Sequence, residues 1–262
     1  MRILITNDDG ILAEGLIALE RIAAQLSADV WVVAPELEQS GASRALTLTS
    51  PVRIRKLDER RFAVSGTPTD CVMLAVAELV EGAKPDLVLS GVNRGQNLGE
   101  DITVSGTVAG AIQGMVYGMK SIALSQCLTY FEDRERAYYE TAEAYAPGII
   151  QRLLQEGWPD DVVMNLNFPD LPPEQVTEVE VTRQGRRDIE STRAERRVDL
   201  RGRAYYWMNF EGRRPRMDDG SDIAAVAKGR ISVTPIHIDL THQPTVHALK
   251  GVLGGPPPKL DA

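Results

Sequence analysis

Histidine, cysteine and net positive charge are all scarce in this sequence, and each shortage removes a class of function. The three histidines, His237, His242 and His247, fall near the C-terminus, so the strand ends that would carry a site offer no imidazole for a zinc centre. The two cysteines, Cys71 and Cys127, sit in the apolar stretches CVMLAVAELV and SIALSQCL, where a small buried thiol is expected rather than a disulfide framework. A formal net charge of -8 and a pI near 5.1 argue against a protein that tracks a nucleic-acid duplex, because such binding draws its affinity from Lys and Arg meeting phosphates. No stretch approaches the roughly 18 apolar residues of a membrane span. The opening MRILITNDDG is too short an apolar run for a signal peptide. A cytoplasmic protein without a membrane partner is expected.

What is present is a chain of 262 residues with 43% hydrophobic content, enough for one large core with an appendage. RILIT at 2 to 6 runs into NDDG, a buried strand ending in a turn. Leu12, Leu16, Leu19, Ala23 and Leu26 then recur at helical spacing before the strand DVWVVAP at 29 to 35. The alternation continues with a helix from Thr67 to about Gly82, a strand at 86 to 93, a helix from 107 to about 118 and a strand at 121 to 126. A helix from about Arg134 to Glu156 and a strand VVMNLNF at 162 to 168 follow. Such alternation implies an α/β fold, a Rossmann-like doubly wound and mostly parallel sheet. We divide it into a core over 1–183, a projecting β-hairpin arm over 184–220 and a return segment over 221–262. The arm carries ten arginines and the aromatic run AYYWM; a solvated hairpin or an oligomer contact suits it better than phosphate binding. The return segment reads as a short helix SDIAAVAKG, an edge strand RISVTPIHI and a Gly/Pro-rich tail, GVLGGPPPKLDA, without regular structure.

Ligands of open α/β sheets bind beyond the carboxyl ends of the strands. Those ends deliver Asp8, Asp9 and Gly10; Gln39, Ser40 and Gly41; and Asn93, Gly95 and Asn97. Two adjacent carboxylates would point to opposite faces of a continuing strand, but Gly10 lets the chain turn so that both converge. They then repel unless a proton or cation lies between them. Ser40 and Asn93 add neutral oxygens, and an all-oxygen set suits Mg²⁺, Mn²⁺ or Ca²⁺. The same acids could instead form a turn and helix cap. A dinucleotide site needs glycines where these acids stand, which counts against a nicotinamide or flavin enzyme. Ser105, Gly106 and Thr107 open a helix after the glycine-rich loop GVNRGQNLGEDITV, a phosphate cradle in that context and an ordinary cap without it. Thr67-Pro68-Thr69-Asp70 reads as plain capping.

Taken together, ILITNDDG, VVAPELEQSGAS, GTPTDC, LSGVNRGQNLGEDITVSGTVAGA and ISVTPIHIDLT resemble, in this order, the SurE family of 5'-nucleotidases, also known as stationary-phase survival proteins. The likeness is weaker in the arm and departs at His237. It implies a metal-dependent phosphatase acting on nucleoside monophosphates, with 3'-monophosphates and polyphosphate as possible substrates, assembled as a homodimer or homotetramer. It also implies metal ligands Asp8, Asp9, Ser40 and Asn93, with Asn97, Ser105, Gly106 and Thr107 as further active-site positions. Gly41 and Ser43 are added as substrate-binding candidates, and Asp8, Asn97, Ser105 and Thr107 as catalytic ones. A rival from another class is a non-catalytic, metal-dependent nucleotide sensor. A nucleic-acid-binding arm from Arg183 to Arg216 is disfavoured by the acidic remainder.

Overall fold

A computed structural model describes residues 1–128, 137–187, 189–212 and 216–255. Its strands are β1 (Arg2–Thr6), β2 (Asp29–Pro35), β3 (Ile54–Asp58), β4 (Arg61–Val64), β5 (Leu87–Arg94), β6 (Lys120–Gln126), β7 (Val162–Phe168), β8 (Val179–Val181), β9 (Ile189–Val198), β10 (Ala204–Gly212) and β11 (Ile231–His237). The helices are α1 (Glu14–Leu26), α2 (Pro68–Leu74), α3 (Gly106–Val116), α4 (Tyr139–Glu156), α5 (Asp222–Ala227) and α6 (Gln243–Leu253). One mixed sheet of nine strands runs β3-β4-β2-β1-β5-β6-β7-β11-β8, and β9 with β10 forms a separate antiparallel ribbon. From β4 to β7 all neighbours are parallel. The chain leaves β1 toward β2 and β4, then returns to β5 on the other side, so the switch of direction that opens a crevice falls between β1 and β5.

Side chains alternate across this sheet as the strand period requires. Ile3 and Ile5 of β1 join the layer formed with α1 and α4, whereas Leu4 faces the opposite layer with Trp31, Phe62 and α2. Both faces are covered, and this is why the central strands read as continuous apolar runs. Helix α3 lies close to the sheet because Gly106, Gly110 and Gly114 fall on one face. A Cβ at Gly110 would stand 2.8 Å from Ser90 Oγ, and one at Gly114 would stand 2.5 Å from Ser121 Oγ.

Several sequence expectations change. Leu12 lies before α1 and is exposed, while its neighbour Ile11 is buried. The helix expected from Thr67 to Gly82 is α2, followed by a π-helical turn over Ala75–Leu79. The first residues of the helix expected from Arg134 lie outside the described residues, and α4 begins at Tyr139. β11, expected at the edge, is one place in, because β8 pairs parallel to it and covers it. The tail expected to lack structure from Gly251 is helical to Leu253, since Pro244 stands in the first turn of α6, where its missing N–H has no cost. The strands β3 and β4 were not anticipated. The two cysteines are free and buried, as expected.

Candidate active site at the crevice

The carboxyl ends of β1, β2 and β5 and the start of α3 meet at the crevice. Gly10 takes a φ of 104°, the left-handed geometry that glycine adopts without strain, and Asn7 donates from Nδ2 to Gly10 O at 2.9 Å. The turn therefore swings the chain off the strand after Asp8 and Asp9. Gln39 N–H donates to Asp8 O at 2.7 Å, so the loop bearing Ser40 is tied to the loop bearing the acids. Arg94 N–H donates to Asp9 Oδ2 at 3.0 Å. That bond sets Asp9 beside the Asn93–Arg94 peptide, where β5 shifts register against β6 between Ser90 and Asn93.

Asp8 is only 4% exposed and lies at the N-terminus of α3. Thr107 Oγ1 donates to Asp8 Oδ1 at 2.5 Å. A Cβ at Gly106 would fall 2.8 Å from both Asp8 Cβ and Oδ2, so only glycine admits the carboxylate this close. Ser105 caps the helix by accepting from Val108 N–H at 3.0 Å, as a first-turn hydroxyl does. Burial pushes the Asp8 carboxyl up to about 6, opposed by the Thr107 hydroxyl and reinforced by neighbouring Asp9. Burial also raises Asp9; the Arg94 amide opposes it and Glu38 reinforces it. Both acids thus sit where ionisation is unfavourable without an added positive charge.

The remaining candidates take distinct places. Asn93 donates from Nδ2 to Gly95 O at 2.9 Å, which turns its carbonyl oxygen the other way. Ser40 is exposed on the loop and donates to Glu38 Oε1 at 2.8 Å. Gly41 has a φ of 76° and open space where a Cβ would stand. Ser43 is the one non-glycine residue at positive φ among those described; its Oγ donates to Thr103 O at 2.8 Å and its N–H to Val104 O at 3.1 Å. It thereby joins the β2 loop to the residues just before α3. Asn97 is buried further along the rim and donates from Nδ2 to Ser125 Oγ at 2.8 Å. The structure therefore brings Asp8, Ser105, Gly106 and Thr107 into one cluster, with Asp9 and Asn93 adjoining. Asn97 is anchored on the β6 and β7 side. The capping box expected at Thr67 is present, with Thr67 and Asp70 exchanging bonds at 2.9 and 3.2 Å.

Comparison with known proteins gives this geometry a lineage. The family model described as Survival protein SurE matches residues 3–191. The chain belongs to the SurE family. It is 68% identical over 259 residues to a Caulobacter vibrioides protein named 5'-nucleotidase SurE, spanning 99% of this chain and 98% of that one. A Phenylobacterium zucineum protein of the same name is 66% identical over 260 residues, spanning 99% of this chain and all of the relative (100%). The crystal structure of the SurE protein from Aquifex aeolicus matches with a TM-score of 0.81 at 40% identity, covering 96% of this chain and 99% of that one.

This SurE-family chain also uses residues that the sequence reading passed over. Asn165 and Asn167, two apart on the otherwise apolar β7, both donate to Asn97 O, at 2.9 and 3.1 Å. Asn167 Oδ1 in turn accepts from Asn97 N–H at 2.9 Å. Their spacing, i and i+2 on a buried strand, was the available signal. Asp222, fully buried, accepts from Gly99 N–H at 2.9 Å and Gly185 N–H at 2.7 Å, binding the glycine-rich loop to the foot of the arm. Arg187 strengthens that joint by pairing with Asp101.

Proposed function

We propose that this chain is a divalent-cation-dependent phosphomonoesterase that hydrolyses nucleoside 5'-monophosphates to nucleoside and phosphate in the cytoplasm, with 3'-monophosphates and polyphosphate as further substrates. The observation that carries the proposal is Asp8, a buried carboxylate raised to about 6 and hydrogen-bonded by Thr107 at the start of α3. The same name printed for full-length relatives, 5'-nucleotidase, supports the reading.

The donor set fits a hard cation. Two carboxylates that burial keeps from ionising, the amide oxygen of Asn93 and the hydroxyl of Ser40 are oxygen ligands, and no group of three or more His, Cys, Asp or Glu forms a soft-metal cluster among the described residues. Asp8, Asp9, Ser40 and Asn93 would hold Mg²⁺, Mn²⁺ or Ca²⁺, which supplies Lewis-acid polarisation of a phosphate oxygen and a more acidic bound water.

The protein groups do the rest. Free N–H groups at the start of α3, with Ser105 and Thr107, receive phosphoryl oxygens, aided by the positive end of the helix dipole. Asn97 is the further donor from the glycine-rich loop. As the transition state places charge on those oxygens, fixed donors stabilise it without reorganising. A carboxyl poised near 6 suits proton transfer at neutral pH, so Asp8 takes the proton of the attacking water; direct attack by Asp8 on phosphorus is distinguished by trapping a phosphoenzyme.

The arm completes the proposal as an oligomer contact in a homodimer or homotetramer. Its ribbon leaves Tyr206 57% and Trp207 58% exposed on opposite faces, apolar surface that a lone chain seldom shows to water.

The test is phosphate release from nucleoside 5'- and 3'-monophosphates and polyphosphate, using metal-stripped protein before and after Mg²⁺, Mn²⁺ or Ca²⁺, beside Asp9→Ala. Metal-dependent release lost in Asp9→Ala is expected. Nucleotide binding without release under any metal would overturn the reading and leave the sensor.

A further inference from the structure

Beside the crevice, beyond the ends of β6 and β7, lies a cavity of about 280 Å³ whose walls include Gln96, Leu98, Cys127, Leu171, Ile223 and Ala227. We propose that this cavity is the nucleoside subsite, receiving the base of the nucleotide whose phosphate lies at Asp8 and α3. The inference rests on the phosphatase reading above and adds where the leaving nucleoside goes.

Continuity of chain is the first argument. Gln96 and Leu98 flank Asn97 on the glycine-rich loop, so alternate residues of one segment serve the two places. Asn97 turns to Ser125, and its neighbours line the cavity. The second is distance along the rim. Strands lie about 4.8 Å apart, so the end of β6 stands roughly 10 Å from the end of β1, on the same carboxyl-end rim. A phosphate at one and a base at the other share one crevice.

The wall chemistry fits a flat ring with polar edges. Leu98, Leu171 and Ile223 offer apolar surface for the ring faces, while Gln96 and Asp170 are the polar side chains in the lining. Gln96 Oε1 already accepts from Leu128 N–H at 3.2 Å, which orients its amide so that Nε2 is presented as a donor for a ring nitrogen or carbonyl. The walls are also fixed in advance. Asp222 ties Gly99, next to Leu98, to the N–H of Ile223, at 2.9 and 2.8 Å, so both walls hang on one buried carboxylate.

The test separates the base from the phosphate. Ala227→Phe narrows the cavity from α5, and Leu171→Ala widens it from the opposite side. Adenosine binding by calorimetry, which needs no turnover, is measured alongside the inhibition constant of inorganic phosphate and kcat/KM for adenosine 5'-monophosphate and methyl phosphate. Ala227→Phe is expected to weaken adenosine and raise the KM for the nucleotide about tenfold, more for purines than pyrimidines, while inorganic phosphate and methyl phosphate are unchanged. Leu171→Ala is expected to weaken adenosine by a smaller factor, again without touching methyl phosphate. Unchanged adenosine binding in both variants overturns the subsite even when methyl phosphate is still hydrolysed. Equal loss for adenosine 5'-monophosphate and methyl phosphate overturns it too, as a disturbance of the phosphate cradle. If the unaltered protein hydrolyses no ester at all, the phosphatase reading itself fails, a result distinct from either.

Discussion

The crevice and the arm make opposite use of polar and apolar groups. At the crevice, carboxylates, hydroxyls and amides are buried and each is held by a named bond: Asp8 by Thr107, Asp9 by Arg94 N–H, Asn97 by Asn165, Asn167 and Ser125. On the arm, aromatic and aliphatic side chains face solvent on a two-stranded ribbon. Buried polarity is costly and persists where chemistry requires it. Exposed apolarity is costly to solubility and persists where a partner covers it. The same chain therefore spends stability in two places for two different reasons.

The largest effect should come from Asp8→Asn. It is expected to lower kcat by about a thousandfold under saturating metal, and near-full activity would remove Asp8 from its role. The same variant should raise the melting temperature of metal-free protein. The folded-state pKa of about 6 lies above the unfolded value of 3.8, so the native state holds its proton longer. Stability tied to this group is greatest below about pH 4, is lost as pH rises toward 6 and stays lost above it, a penalty of roughly 3 kcal/mol at pH 8. Asparagine escapes that penalty, so thermal melts of both proteins should diverge between pH 4 and 6. Parallel curves would contradict the raised value.

Next is Gly106→Ala. Its added methyl would press on Asp8 Cβ and Oδ2 at 2.8 Å, and a displacement of that order at reacting groups costs about 100-fold in kcat/KM; activity within threefold of the parent would show that α3 can withdraw without consequence. Asp222→Ala leaves the Gly99 and Gly185 N–H groups without their acceptor. A stability loss of about 3 kcal/mol is expected in denaturant melts, and a loss below roughly 0.5 kcal/mol would mean that water replaces the carboxylate. Paired substitution of Trp207→Ser and Met208→Ser should shrink the assembly in light scattering while turnover stays within about twofold; unchanged mass would remove the arm from assembly. Smallest is Arg197→Ala, whose exposed pair with Glu195 contributes at most about 0.5 kcal/mol.

Much of this molecule could be read before its folding was seen. VVMNLNF at 162 to 168 coincides with β7, because a strand covered on both faces leaves an unmistakable apolar run. β3 escaped notice since IRKLD is exposed along its whole length, and an edge strand with no buried face carries no alternation to detect. NDDG was legible as a turn with two acids, and SGT as a helix start. What those acids touch was not legible.

By itself the sequence determined the order of strands and helices, the acids at the first strand end, the hydroxyls at the start of α3, and, through its ordered motifs, the SurE family. Those are local facts, set by side-chain period, turn chemistry and residue identity. Only the tertiary structure decided that Gly106 lies against Asp8 across 98 intervening positions, since a glycine's value depends on what approaches it. The structure also decided that two asparagines of β7 hold the backbone of Asn97, and that Asp222 ties the glycine-rich loop to the arm. Contacts between distant segments follow from how layers stack and which faces meet. No window of sequence contains both partners, so only the folded chain reveals them.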